Sequence, residues 1–172
     1  HGNFEEFTIS DWKNDLIDMI DKITSGPQII VGSSMGGWLM LLAAKYRKKR
    51  ICGLIGLAAA PDFGEELYSS LNKKSKKEIN QKGKVKYFWN DKSSHILTKK
   101  FFIDAKKNKI LNKPMHFNKP IILFQGLKDD VVNMNVPQKI SNHVRGNNIQ
   151  IHFLKSSDHR LSSERDIKSI LS

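Results

Sequence analysis

The chain has 172 residues, 39% of them hydrophobic, a single cysteine and a formal net charge of +12 at pH 7. This length suffices for one domain with a sizeable core, no apolar run reaches the roughly 20 residues of a transmembrane helix, and one cysteine excludes a disulfide framework. The charge permits acidic substrates or a weak association with a membrane surface. The lysines are spread along the chain without a nucleic-acid-binding motif, so we expect no nucleic-acid partner.

The first predicted element is a helix that begins near Thr8–Asp11, where Thr or Ser can cap it and Asp occupies the first turn. Apolar residues then recur at helical spacing, which predicts that one face of this helix packs on a sheet. They are Trp12, Leu16, Met19, Ile20 and Ile23. The sequence Ser25-Gly26-Pro27 is expected to end the helix.

The segment Pro27–Trp38 predicts a strand, a sharp turn and a helix, because a β-branched run passes through a Gly-x-Ser-x-Gly pattern into a helix-forming segment. In such a turn the serine adopts a strained conformation, and its hydroxyl stands clear at the end of the strand. Side chains at Gly32 and Gly36 are expected to collide with neighbouring groups. Ser34 is therefore the candidate nucleophile, since Ser33 lacks glycines at the required spacing; an ordinary tight turn is the alternative interpretation.

The next segment, Ile51–Ala58, is short and nearly all apolar, which is typical of a strand buried on both faces of a parallel sheet. Cys52 lies in this run, and we expect it to be a buried, inert thiol. From about residue 65 to 118 the chain is rich in lysine and shows no alternation of strands and helices. We interpret this segment as a mostly helical cap insertion, which is either a lid with an apolar lining or a solvated surface feature.

Alternation of strands and helices resumes in the last third of the chain. Ile121–Phe124 and Gln150–Leu154 read as strands, and Val136–Arg145 and Glu164–Leu171 read as helices. Together with the earlier elements they predict an α/β fold: a three-layer αβα sandwich around a mostly parallel sheet.

Three polar residues, Ser34, Asp129 and His159, each fall in the turn directly after a predicted strand. Because ligands of open parallel sheets bind outside the carboxyl ends of the strands, we expect these residues to gather at one edge. A serine needs an imidazole to take its proton, and a carboxylate must hold that imidazole, so the order Ser, Asp, His predicts a serine hydrolase. The sequence does not separate Asp129 from Asp130 as the acid, whereas Asp158 is expected to shape the turn before His159.

The negative charge that develops on a substrate carbonyl needs backbone donors, and the N–H of Met35, directly after the nucleophile, is the predicted first donor. His143 lies in a helix pattern and His152 in a strand pattern, so His159 fits the role of base better. No Cys or His pair has the spacing of metal ligands, and no Gly-Lys-Ser/Thr loop follows a strand. We therefore expect no cofactor and no metal.

Three motifs in order, Gly32–Trp38, Gln125–Val132 and Ser157–Arg160, resemble the α/β-hydrolase superfamily. Within it the chain is similar to the branch of palmitoyl-protein thioesterases and acyl-glucuronide esterases known from mitochondria, which has bacterial relatives. The resemblance implies Ser34 as nucleophile, Asp129 as acid and His159 as base. Gln125 and Asn133 depart from the family pattern, which often has His and Pro at these positions.

The resemblance also implies that the early strands of the sheet and a loop giving the second oxyanion donor precede His1. We therefore expect residues 1–172 to be a single, N-terminally truncated α/β-hydrolase domain whose targeting segment is not observable. The single cysteine and the resemblance favour an intracellular protein, cytoplasmic in a bacterium or mitochondrial.

The sequence thus predicts a serine esterase or thioesterase that acts on an acyl ester or thioester, including an acylated protein. Cleavage of palmitoyl thioesters predicts an apolar channel lined by Trp89, Phe101 and Phe102, whereas a small ester or glucuronide predicts a short pocket with lysines at its mouth. The alternative function is a non-catalytic binding protein of the same fold for acidic ligands or membrane surfaces.

Overall fold

The core of the fold is a sheet of four parallel strands in the order β1 (Gln28–Ser33), β2 (Ile51–Leu57), β6 (Ile121–Gly126) and β8 (Ile149–Leu154), numbered along the chain. The structure is a computed structural model that describes residues 2–90 and 93–172, without the side chains of residues 89, 90 and 93. The mostly parallel sheet with flanking helices confirms the predicted fold class.

The two central strands owe their burial to continuous apolar sequence. Ile51 and Leu54 of β2 and Ile121 and Leu123 of β6 are each at most 1% exposed. The strands β1 and β8 lie at the two sides of the sheet and alternate between half-buried and exposed residues over most of their length. Because successive side chains of a strand point to opposite faces, this alternation means that one face of β1 and of β8 is less covered than the other.

Helices pack against this sheet through apolar faces. The helix α2 (Met35–Tyr46) is apolar nearly all round and contacts β1 and β2. The helix α6 (Val136–His143) contacts β6 and β8. In the last helix, α7 (Glu164–Leu171), Ile170 packs on a buried cluster formed by Ala58, Phe124 and Leu161.

The sheet and these helices belong to a compact unit, unit 2, made of Leu16–Pro61 and Ile110–Ser172. This unit also contains a parallel pair of two-residue strands, β5 (Met115–His116) and β7 (Val144–Arg145). Such short strands carry no periodicity, so the sequence did not predict them.

A second compact unit, unit 1, consists of His1–Asp15 and Asp62–Lys109. It contains helices and an antiparallel hairpin. These are α3 (Gly64–Ser70), α4 (Lys73–Lys82), β3 (Lys84–Asn90), β4 (Ser93–Thr98) and α5 (Lys99–Lys107). The mostly helical prediction for residues 65–118 therefore missed the hairpin, although Lys84 and Lys86 alternate with Val85 and Tyr87 in β3 as in a half-exposed strand. Its role as a lid stays a prediction.

A cavity of about 430 Å³ lies within unit 1. Phe102 lines it, together with Tyr68, Ile79 and Ile103. Phe101 is 3% exposed and packs against other aromatic rings of the unit. The side chain of Trp89, also predicted to line a substrate channel, lies outside the described residues.

The first helix, α1 (Ile9–Asp18), begins where predicted, with Asp11 accepting hydrogen bonds from the backbone and hydroxyl of Thr8. The prediction that its apolar face is buried is only partly correct. Ile20 is 3% exposed, but Met19 and Ile23 are 51% and 70% exposed. Met19–Ile23 forms a π-helical turn, whose wider winding departs from the 3.6-residue period that the predicted face assumes.

Two further observations qualify the sequence interpretation. Cys52 is half-buried rather than buried. Within the residues that the structure describes, no helix is long and apolar enough to cross a membrane.

Candidate active site

The turn between β1 and α2 carries Ser34 in a strained backbone conformation, with φ 51° and ψ −119°. A non-glycine residue at such a positive φ costs about 1–3 kcal/mol and persists only where its surroundings hold it. Three backbone hydrogen bonds of 2.9 Å do so: Ser34 N–H donates to Leu57, and the N–H groups of Gly37 and Ala60 donate to the Ser34 carbonyl. The predicted strand, turn and helix therefore form as the Gly-x-Ser-x-Gly pattern requires.

At two glycines of this turn the chain passes so close to other atoms that a Cβ atom would collide with them. The sequence predicted one of these glycines and not the other. A Cβ atom at Gly32 would lie 2.4 Å from the carbonyl oxygen of Gly36. The expected collision of a side chain at Gly36 is wrong, because a Cβ there would meet nothing within 4 Å. The second crowded position is Gly37, where a Cβ would lie 2.4 Å from Ala59 Cβ, since α2 passes close to the chain after β2.

The structure brings Ser34, Asp129 and His159 together at the carboxyl ends of β1, β6 and β8. His159 Nε2 lies 3.0 Å from Ser34 Oγ, and His159 Nδ1 lies 3.0 Å from Asp129 Oδ2. The Asp129 side chain is 1% exposed, whereas that of His159 is 22% exposed. The imidazole therefore connects an accessible hydroxyl to a buried carboxylate.

Both oxygens of the Asp129 carboxylate accept hydrogen bonds. Its Oδ1 accepts the backbone N–H groups of Val131 and Val132 at 2.8 Å each. Burial by itself would raise the pKa of Asp129, but the hydrogen bonds from Val132, His159 and Val131 outweigh burial and hold this pKa below its usual value. Asp129 is thus ionised at neutral pH and can accept a proton from Nδ1. In the tautomer with the proton on Nδ1, Nε2 is the acceptor that faces Ser34.

The geometry distinguishes Asp129 from the other aspartates near His159. Asp130 is exposed, and the carboxylate that contacts His159 is that of Asp129. Asp158 accepts the backbone N–H of Arg160 at 2.9 Å, as expected for a residue that shapes the turn. Met35 is the first residue of α2, where a backbone N–H has no acceptor within the helix.

A buried hydrogen bond that the sequence did not predict supports the loop that carries His159. The hydroxyl of Ser157 donates to the carboxylate of Asp166, which is 4% exposed. Asp166 also accepts the backbone N–H of Ser163, at the start of α7. The Ser-x-x-Asp spacing of Ser163 and Asp166 is a helix-capping pattern, and this signal could have identified Asp166.

The same loop is tied to the loop of Asp129. The backbone N–H of Lys128 donates to the carbonyl oxygen of Ser157 at 3.0 Å. Ser157 therefore links α7, through Asp166, to the segment that follows β6. A second contact missed from the sequence is the amide of Gln125, which donates to Asp129 Oδ2; only its departure from the family pattern had marked this residue.

The chain as a whole is similar to known hydrolases in sequence and in fold. No protein-family model matches the chain. The mitochondrial palmitoyl-protein thioesterase ABHD10 of Homo sapiens is 34% identical over 99% of this chain and 56% of that protein, and the Mus musculus protein is 31% identical over 99% and 58%. The chain thus spans somewhat more than half the length of these curated relatives.

Two solved structures extend the likeness to three dimensions. The mouse alpha/beta hydrolase domain-containing protein 10 has a TM-score of 0.89 and 31% identity, covering 99% of this chain and 69% of that one. A putative hydrolase from Agrobacterium vitis S4 has a TM-score of 0.91 and 26% identity, covering 98% and 68%.

The glycine geometry gives a matched pair of substitutions. Gly32→Ala should lower the free energy of unfolding by about 1–3 kcal/mol, because the new methyl group overlaps backbone that cannot move aside. Gly36→Ala should leave it unchanged or raise it by up to about 1 kcal/mol, since alanine favours the helix and meets no neighbour. Urea unfolding of both variants measures the difference. Equal losses in the two variants would contradict this description of the turn.

The Asp166 carboxylate predicts a pH-dependent contribution to stability. Hydrogen bonds from Ser157 and Ser163 hold the pKa of Asp166 below its usual value. Such a group stabilises the fold above its unfolded pKa of about 3.9, and this contribution is lost as the pH falls through the lower folded pKa. Asp166→Asn should therefore cost about 1–3 kcal/mol at pH 7 and less at pH 3.

Denaturant unfolding at both pH values measures this effect. Glu164→Gln, an exposed position in the first turn of the same helix, is the matched control and should change stability little at either pH. A cost of Asp166→Asn that is the same at pH 3 and pH 7 would show that the carboxylate charge does not support this loop.

Proposed function

The chain belongs to the α/β-hydrolase family, and on this basis we propose that it is a serine hydrolase that cleaves acyl esters or thioesters through an acyl-enzyme on Ser34. The observation that carries the proposal is the hydrogen-bonded chain from Ser34 Oγ through His159 to Asp129 Oδ2, with both distances 3.0 Å. A serine hydroxyl becomes an effective nucleophile when an oriented base takes its proton.

The reaction follows from the atoms in contact. His159 Nε2 takes the proton of Ser34 while Oγ bonds to the substrate carbonyl carbon, and Asp129 stabilises the imidazolium that results. The tetrahedral intermediate then breaks its bond to the leaving alcohol or thiol, which receives the proton from His159. Water attacks the acyl-enzyme with His159 again as base, which releases the carboxylic acid and restores Ser34.

The negative charge of the intermediate requires donors near Ser34. The backbone N–H of Met35 is the proposed donor, because it follows the nucleophile directly and begins α2. The N-terminal end of this helix also favours negative charge through its dipole. Removal of a single donor of this kind from an oxyanion hole costs about 2.7–4 kcal/mol of transition-state stabilisation.

The substrate class is proposed from the relatives. The curated relatives are named palmitoyl-protein thioesterases, which supports a long-chain acyl thioester, on a protein, as the substrate of this chain. An acyl glucuronide is the second ester class that the resemblance implies. The relatives are also named as mitochondrial, which supports the mitochondrial alternative for the location; the bacterial cytoplasmic alternative stays a prediction.

Hydrolysis assays test both the mechanism and the substrate class. We expect kcat/KM to rise along a series of acyl thioesters from short chains to palmitoyl, because each buried CH₂ of the acyl chain adds about 0.8 kcal/mol of binding free energy. Ser34→Ala should lower the activity at least about a thousandfold by removing the nucleophile.

Ser33→Ala is the matched control, since Ser33 is the neighbouring hydroxyl at the exposed end of β1, and it should retain activity. Activity that survives in Ser34→Ala would refute the mechanism. Activity confined to short esters or glucuronides would refute the palmitoyl-thioester substrate and leave the mechanism standing.

A further inference from the structure

Gln125, near the end of β6, has a side chain that reaches the carboxylate of Asp129 from inside the protein. The residue is 0% exposed. Its Nε2 donates to Asp129 Oδ2 at 2.8 Å, and the same oxygen lies 3.0 Å from His159 Nδ1. The amide and the imidazole therefore share one carboxylate oxygen.

The orientation of this amide is set by the acceptors around it. Besides Asp129 Oδ2, Nε2 lies 3.3 Å from the carbonyl oxygen of Val132 and 3.4 Å from that of Gly126. A reversed amide would turn Oε1 toward three acceptors, which would repel it. In the orientation adopted, Oε1 is buried and has no hydrogen-bond partner in the described part of the chain.

This unpartnered oxygen indicates why the side chain is there. A buried carbonyl group without a donor destabilises the folded state. An apolar side chain of similar length, such as methionine, would fill the same space without that cost. The presence of an amide at this position is therefore explained by what its N–H groups do to Asp129 rather than by packing.

We propose that Gln125 is a positioning residue that fixes Asp129 Oδ2 toward His159 and weakens the proton affinity of this carboxylate, and so sets the pH range in which His159 acts as base. The inference rests on the proposed serine-hydrolase function of the same site. A donor stabilises the ionised form of a carboxyl group. A carboxylate that is already neutralised in part by an amide attracts an imidazolium less strongly, so His159 releases its proton at a lower pH than it would without Gln125.

The groups that face His159 are few in the described residues. Asp129 faces its Nδ1, and the hydroxyl of Ser34 faces its Nε2. Charged neighbours on the same two loops form no hydrogen bond or ion pair with the imidazole in this part of the chain. They are Lys128, Asp130, Asp158 and Arg160. We therefore expect Gln125 to affect His159 through the carboxylate of Asp129.

The test is the substitution Gln125→Met, which keeps the length of the side chain and removes the amide. The acidic limb of the pH dependence of kcat/KM reports protonation of the base in the free enzyme. We expect this limb to move to higher pH by about 0.5–1 unit, as the net effect of one hydrogen bond implies, with the plateau at high pH retained. The stability effect combines two opposite changes, because the buried carboxylate loses one donor while the unpartnered Oε1 is also removed. The acidic limb is therefore the readout, and the thermal unfolding midpoint serves only to show that the variant is folded.

Two variants serve as controls. Gln138→Met makes the same change at an exposed glutamine of α6, whose amide donates to Asn142, and should leave the limb unchanged. Gln125→His keeps an N–H donor beside Asp129 and should not move the limb to higher pH. If the Gln125→Met protein does not fold, the same measurement is made on Gln125→Leu, whose side chain also lacks the amide but has a different shape.

A measurement without turnover separates this inference from the proposed function. The Nδ1 proton shared by His159 and Asp129 should give a proton NMR resonance that moves downfield in Gln125→Met, since the imidazole becomes a sole donor to Oδ2. An unchanged resonance, or an acidic limb that stays at the wild-type pH in an active enzyme, would overturn the role of Gln125. Hydrolysis that survives in Ser34→Ala would instead overturn the proposed function.

Discussion

The site depends on one buried carboxylate. Asp129 carries a charge on a side chain that is 1% exposed, and a charge removed from water in this way must be compensated by donors. Four donors surround it: two backbone N–H groups on Oδ1, and the Gln125 amide and the His159 imidazole on Oδ2. The position of the imidazole follows from this compensation, because one of the four donors is its Nδ1–H.

The surrounding backbone is strained where it supports this arrangement. Ser34, Ala58 and Leu161 adopt φ values of 51°, 45° and 50°, and each is a non-glycine residue that follows β1, β2 or β8 in the chain. Ala58 and Leu161 are buried in one cluster with Phe124. Strain of this kind costs about 1–3 kcal/mol at each position and is retained when packing and hydrogen bonds fix the local conformation. Packing and hydrogen bonds therefore hold the backbone of Ser34, directly after β1, and of Leu161, two residues after His159, in these conformations.

The local sequence was sufficient to predict most of the secondary structure of unit 2. The apolar runs predicted all four strands of the sheet, and the parallel alternation then brought Ser34, Asp129 and His159 to one edge, as expected. What local sequence could not predict depends on contacts between distant segments. The crowded glycine is Gly37 rather than Gly36 because the chain after β2 passes beside α2, and no pattern within α2 contains that information.

The same limit applies to the residues that support the site. Gln125 lies 4 positions before Asp129, but its donor role depends on the fold of the loop between them. Ser157 and Asp166 are paired through the packing of α7, although the capping pattern at Ser163 gave a local signal. In unit 1 the alternation of Lys84 and Lys86 with Val85 and Tyr87 was a local signal for β3 that the prediction overlooked, whereas β4 has only a short apolar stretch at Ile96 and Leu97.

The most direct test of the account is covalent labelling of the nucleophile. The purified protein is treated with a fluorophosphonate probe, which reacts with serines activated by a neighbouring base, and the modified peptide is identified by mass spectrometry. We expect the label on Ser34, strong loss of labelling in His159→Ala, no labelling in Ser34→Ala and wild-type labelling in Ser33→Ala. A protein that is not labelled, or a label that persists in Ser34→Ala, would contradict the assignment of Ser34 as the activated nucleophile.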